Sequence, residues 1–308
     1  MPPSMRAPFR ERLGSTPVVL EIVPPPRRAS EKAVATFLRK VREATRSLRD
    51  LDAVNVPEIL EENHAGQPFY RNLDPRDFAD LLGADVGPDP IVNKIVAHLA
   101  GPSACRRWIQ ESLEERGLRN FVLVGGSSSR VRYPGPNVAE ANRILRAVTP
   151  AREDVSLGNI TIPERDHEVD RLIEKTRAGC DFFTTQVLFE AEPMATVLRA
   201  YGKRCVAEGL APATVLVSFA PVSDYQDIEF LVWLGASVTP KTEEALLASL
   251  EASPGRASLD RARGLWSHLR GAAALSRPAV PLGVNIEEIS AHNFDLALDM
   301  AREFRSWA

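Results

Sequence analysis

Cysteine is scarce: the 308 residues hold three, Cys105, Cys180 and Cys205. Their number is odd and their spacing wide, which argues against a disulfide framework or a thiolate metal site and points to free thiols in a reducing compartment. Long apolar runs are missing as well. No stretch approaches the ~20 residues that a membrane-spanning helix requires. Arg6, Arg10 and Arg12 lead into no apolar h-region of a secretory signal. The expected location is therefore cytoplasmic, with no membrane partner. An excess of positive charge is absent too: 38 Lys and Arg against 41 Asp and Glu give a net charge of −3, so nucleic acid finds no basic footprint. No trio of His, Asp and Glu has ligand spacing, and no metal is expected. Nor is there a dinucleotide fingerprint, because Gly125-Gly126-Ser127-Ser128-Ser129 does not match G-x-G-x-x-G. The expected partner is a small molecule, and the sequence leaves the oligomeric state open.

With 44% hydrophobic and 26% charged residues, the chain has the composition of a globular protein. Short apolar runs alternate with helical patterns along its length. Strands are expected at 18–23, 53–57, 91–99, 121–124, 156–162, 182–189, 215–222 and 283–286, many of them stopped by Pro or Gly. Between them Val34, Phe37, Leu38 and Val41 recur at helical spacing, and Asp74-Pro75 opens a short helix. Residues 61–72 read as loop, and roughly the first fifteen as a flexible segment. Strands alternating with helices imply parallel pairing, and eight such units suit a β/α barrel of about 250–300 residues. The expected fold is α/β: one (β/α)8 TIM barrel spanning residues 1–308, with an extra helical insert at 242–270 between its seventh and eighth strands.

Barrel active sites sit at the C-terminal ends of the strands, which shortens the search. Glu21 stands out in the first strand. Alternation puts it on the face of Val19 and Val23. A carboxylate in apolar surroundings resists ionisation and can serve as a general acid; pairing with a nearby Arg or Lys is the open alternative. Other strand ends offer Asn55, Lys94, His98, Asn159, Thr161, Thr185, Gln186, Ser218, Phe219, Asn285, Glu287 and Glu288. Gln186 lies among Phe182, Phe183, Val187 and Phe189, so its amide needs a partner if buried, either backbone or a planar ligand with donor and acceptor edges. The serine-rich turn at 127–129 is either a phosphate cradle or a plain loop.

Several motifs resemble methylenetetrahydrofolate reductase, a flavin-dependent barrel enzyme. Leu20-Glu21-Ile22-Val23-Pro24-Pro25 is similar to that family's opening strand, whose glutamate is the general acid. Arg177-Ala178-Gly179-Cys180-Asp181-Phe182-Phe183-Thr184-Thr185-Gln186 is similar to its sixth strand, whose glutamine contacts the pterin. Ala97-His98-Leu99 and Ala220-Pro221-Val222-Ser223 match its third and seventh strand ends more weakly. The departures fall on the flavin side. Gly125-Gly126-Ser127 replaces an Arg-Gly-Asp, Pro57 stands where a threonine is expected, and Ile162-Pro163-Glu164-Arg165-Asp166-His167-Glu168 displaces a histidine by one position.

The resemblance implies reduction of 5,10-methylenetetrahydrofolate to 5-methyltetrahydrofolate. It makes Glu21 the catalytic acid and Gln186 a substrate contact, with Asn159, Ser127, Phe219 and Asn285 as further substrate candidates and His98, Asn55 and Thr161 as cofactor candidates. NADH or NADPH is the expected hydride donor, passing hydride directly to the folate. FAD is in doubt, the alternative being that it is bound differently. A non-redox folate-binding or one-carbon-transfer protein on the same barrel is the other reading.

Overall fold

The computed structural model describes residues 7–48, 51–83, 89–128, 130–150, 154–252, 256–276, 278–288 and 292–307. The chain begins with α1 (Phe9–Arg12) and β1 (Val18–Glu21), which Pro24 and Pro25 prevent from continuing. The Ser30 hydroxyl accepts from the Ala33 N–H and starts α2 (Glu31–Ser47). β2 (Ala53–Val56) stops at Pro57 and is followed by β3 (Leu60–Glu62) and β4 (Pro68–Tyr70). Asp74 caps α3 (Pro75–Leu82) by accepting from the Arg76 N–H. Then come β5 (Asp89–Ile95), a 3₁₀ turn (Val96–His98), α4 (Pro102–Glu114), β6 (Asn120–Val124), α5 (Val138–Val148) and β7 (Ser156–Thr161). The rest runs through α6 (Glu168–Arg177), β8 (Phe182–Val187), α7 (Glu192–Ala207), β9 (Thr214–Phe219), α8 (Tyr225–Trp233), α9 (Pro240–Ala252), α10 (Ala257–Leu275), β10 (Leu282–Glu287) and α11 (Phe294–Trp307).

Eight strands close into one barrel in the order β1-β10-β9-β8-β7-β6-β5-β2. The ladders are parallel, as between Asn55 and Ile91, Phe121 and Leu157, or Ser218 and Asn285. This is the (β/α)8 fold expected from the alternation, and α9 and α10 supply the insert between β9 and β10.

Contacts divide the chain into two compact units. One comprises the residues up to Arg12, Glu21–Asn159 and Ala178–Asp181; the other comprises Leu13–Leu20, Ile160–Arg177 and the chain from Phe182 onward. In the first, Val92, Phe121, Leu123 and Leu157 pack against Trp108 of α4 and Leu145 of α5. Each such fully buried side chain stabilises the fold by about 1.5–3 kcal/mol. In the second, Val187, Val222, Ile228, Leu231, Leu246 and Leu250 form a separate cluster.

Two expectations change. Residues 61–72 are not loop: β3 and β4 pair antiparallel, Leu60 with Tyr70 and Glu62 with Pro68. The Asn63 side chain builds the turn, accepting from the N–H groups of Ala65 and Gln67, and Gly66 takes the positive φ of 73° that the turn needs. Within the segment expected to be flexible, Phe9–Arg12 is helical and buries Phe9; residues 1–6 lie outside the described residues. Among the described residues, no helix is long and apolar enough to cross a membrane.

Candidate functional site

Glu21 is the last residue of β1, and its Oε2 accepts from Asn55 Nδ2 at 2.6 Å. The two belong to the first unit. Their shared face is set by strand parity, because Val54 and Val56 flank Asn55 and point the other way. Glu21 is half-buried rather than enclosed in apolar surroundings, as its place at the strand's C-terminal end allows.

A second polar group in this unit gathers around Glu62, which no sequence pattern had singled out. Its carboxylate accepts from Ser127 Oγ at 2.7 Å and from Tyr133 Oη at 2.7 Å, and His98 Nε2 lies 2.9 Å from Oε1. The His98 ring is almost wholly buried and meets the Tyr133 ring edge-on. Burial pushes the Glu62 carboxyl up, but the hydrogen bonds from Tyr133, Ser127 and His98 outweigh it and hold the group below the ordinary carboxylate range. An ionised Glu62 only accepts, so His98 donates to it from Nε2. The sole hint in the sequence was Asn63-x-x-Gly66, the turn that makes the hairpin.

The serine-rich turn does not present an open cradle. The Ser128 N–H donates to Tyr133 Oη, and a Cβ on Gly126 would lie 2.1–2.6 Å from Tyr133 ring atoms. Ser129 lies outside the described residues.

Four further assignments need correction or narrowing. Asn159 is wholly buried on the outer side of the sheet, where its Nδ2 donates to Asn142 Oδ1, Leu123 O and Gly158 O and its Oδ1 accepts from Asn142. It locks α5 to β7 and offers a substrate nothing. Thr161, also wholly buried, donates to Glu168 Oε1 at 2.8 Å, so it holds the start of α6 rather than a cofactor. Phe219 stacks on Phe304 of α11 at 5.2 Å and 17°, which places its ring in the helix–sheet layer. Lys94 likewise turns to the helix side, where its ammonium meets the buried Glu58 carboxylate at 2.5 Å.

In the second unit Asn285 shares a face with Ser218, donating to its Oγ at 3.2 Å and to Glu287 Oε1 at 3.3 Å. Gln186 lies within an irregularity in the β8–β9 register, where Thr185 Oγ1 accepts the Ser218 N–H. Its amide is half-buried and has the backbone partners left open above: Nε2 donates to Leu234 O at 2.8 Å, and Oε1 accepts from the Val187 N–H. Asp224, Asp227 and His292 also come together here. Asp224 is the N-cap of α8 and accepts the Asp227 N–H, while Asp227 accepts from Ser223 and from the Asp224 N–H and lies 3.2 Å from His292 Nε2.

No protein-family model and no curated protein matches the chain. Solved structures do. A protein of Clostridium thermocellum, described as uncharacterized and as binding two copies of 5-methyl-5,6,7,8-tetrahydrofolic acid, is 20% identical with a TM-score of 0.77, over 97% of this chain and 99% of that one. A Toxoplasma gondii protein described as a deoxyribose-phosphate aldolase is 10% identical, with a TM-score of 0.52 over 97% and 98%. An EDTA monooxygenase of Chelativorans is 12% identical, with a TM-score of 0.52 over 94% and 93%. At these identities the likeness is one of fold.

Proposed function

We propose that this chain binds a reduced folate at the C-terminal ends of its strands and reduces 5,10-methylenetetrahydrofolate to 5-methyltetrahydrofolate. The observation that carries the reading is Glu21, a half-buried carboxyl at the end of β1 held in place by Asn55 Nδ2 at 2.6 Å. The resemblance of the first and sixth strand motifs to the reductase family supports it. So does the ligand of the structurally similar Clostridium thermocellum protein, which is the product of this reaction.

Opening the five-membered ring of the substrate breaks the bond from the methylene carbon to N10 and leaves a 5-iminium cation. N10 must gain a proton as that bond breaks, and Glu21 is the donor. The resulting carboxylate then faces a cation, which it stabilises electrostatically. Asn55 keeps the carboxyl oriented through both states. NADH or NADPH, when bound, supplies the hydride that converts the iminium carbon to the N5-methyl group. No step is assigned to a flavin.

A second reading, folate binding without redox chemistry, draws on the same similar protein, which is described only as binding. One experiment separates them: nicotinamide oxidation by flavin-free protein, started with methylenetetrahydrofolate, with and without added FAD. Folate-dependent oxidation without FAD is the expected result. Turnover that requires FAD overturns direct hydride transfer. No turnover with either nicotinamide, alongside measurable 5-methyltetrahydrofolate binding, selects the binding reading.

A further inference from the structure

On the face that carries Glu21 stand two amides whose carbonyl oxygens have no donor among the described residues. Asn55 pairs with Ile91 in the β2–β5 ladder, and residues paired in this way point to the same side of the sheet. Asn93, two residues beyond Ile91, points there too. Its neighbours confirm the parity: Val92 packs in the core with Trp108, and the Lys94 ammonium lies 5.9 Å from the Trp108 ring on the helix side. Asn55 is 1% exposed and Asn93 7%, and the Oδ1 of each is buried without a hydrogen-bond partner. For Asn55 the orientation is fixed, since Nδ2 donates to Glu21 and Oδ1 must turn away from that carboxylate.

Buried amide oxygens are nearly always satisfied, because leaving one bare weakens the fold. Two of them on neighbouring strands, on the face of a half-buried carboxyl, call for a ligand with N–H groups. We propose that Asn55 and Asn93 form an acceptor pair that reads ring N–H groups of the bound reduced folate next to Glu21. This rests on the folate reading above and adds Asn93 to it. A reduced pterin carries such groups at its 2-amino substituent, N3 and N8. A ligand edge of carboxylates or ether oxygens would meet two acceptors and be rejected.

The test is Asn93→Leu in the full chain, with Asn93→Ala as a second variant that removes the same oxygen without a branched side chain. Two quantities are read: affinity for 5-methyltetrahydrofolate by calorimetric titration, and the unfolding midpoint without ligand. Affinity should fall about tenfold or more. The ligand-free midpoint of the leucine variant should hold or rise, because a bare acceptor has been replaced by an apolar group of similar size. Wild-type binding with unchanged affinity in both variants overturns the acceptor pair and leaves the folate reading standing. A leucine variant that loses affinity and midpoint together makes Asn93 a structural amide, which also overturns the proposal. If the wild type itself does not bind 5-methyltetrahydrofolate, the folate reading falls and the pair falls with it.

Discussion

On the helix side of the sheet, Asn142 and Asn159 face each other, and each side-chain oxygen accepts from the other's amide nitrogen. On the opposite side, Asn55 donates to Glu21, and the carbonyl oxygens of Asn55 and Asn93 meet no donor among the described residues. All four amides are buried in the same compact unit. Residue type and burial therefore do not separate the two pairs; the face of the strand does. An amide turned toward a helix can be completed by that helix. One turned to the inner face is completed only by its neighbours across the barrel wall or by what binds there. The difference lies in an incomplete hydrogen-bond inventory on the inner face, rather than in the presence of a polar residue at a strand end.

The largest test of the comparison is Glu21→Gln. Glutamine keeps an oxygen for Asn55 Nδ2 but cannot protonate N10, so methylenetetrahydrofolate-dependent nicotinamide oxidation should drop about 10²–10⁴-fold. Binding of 5-methyltetrahydrofolate should stay close to wild type. Near-normal turnover would remove Glu21 from the chemistry. Next comes Asn159→Leu on the helix side. It strands the wholly buried Asn142 amide and should cost about 1–3 kcal/mol of stability, read as a lower urea midpoint at an unchanged m-value. Replacing both Asn142 and Asn159 by leucine should cost less than either alone, because no buried amide is then left bare. A double variant as weak as the sum of the singles breaks the contrast between the two faces.

Much of the barrel was legible in the sequence, because period-2 apolar runs ending at Pro24, Pro57 or Pro163 are strong local signals. The hairpin was not. Its strands are three residues each, too short for a period to emerge, and only the Asn63 and Gly66 turn chemistry betrayed it. For the site, position along the strand is legible in the sequence, and the face follows from the apolar members of each run. Leu157, Asn159 and Thr161 share one parity, and Val215, Val217 and Phe219 share another run of it. In both cases the apolar members mark the helix side and carry the other residues with them. Alternation puts Asn93 and the adjacent Lys94 on opposite faces, and Lys94 is the one turned toward Trp108. What no pattern within a strand could supply was the partner: Asn142, Glu168 and Phe304 lie on helices beyond it.

Glu62 is the intermediate case, a group at the strand ends that is both charged and fully engaged, and it predicts the smallest effect. Burial raises its carboxyl, but Tyr133, Ser127 and His98 outweigh that and hold it below the ordinary value of 4.5. A folded-state value below the unfolded one means the folded protein binds fewer protons, so the contribution to stability is complete above about pH 4.5 and is lost as pH falls through the lowered folded value. Glu62→Gln keeps the size and removes the charge. The wild type should therefore exceed the variant in urea midpoint at pH 7, by less than the Asn159→Leu effect, and the gap should close as both are titrated toward pH 3. A gap that stays constant across that range would mean the hairpin is held by shape, through the Gly66 tip packed against Val131, and not by the carboxylate. A gap that closes would make the hairpin a clasp fastened by charge, as complete in its hydrogen bonds as Asn142 and Asn159, in contrast to the Asn55 and Asn93 carbonyls, which meet no donor among the described residues.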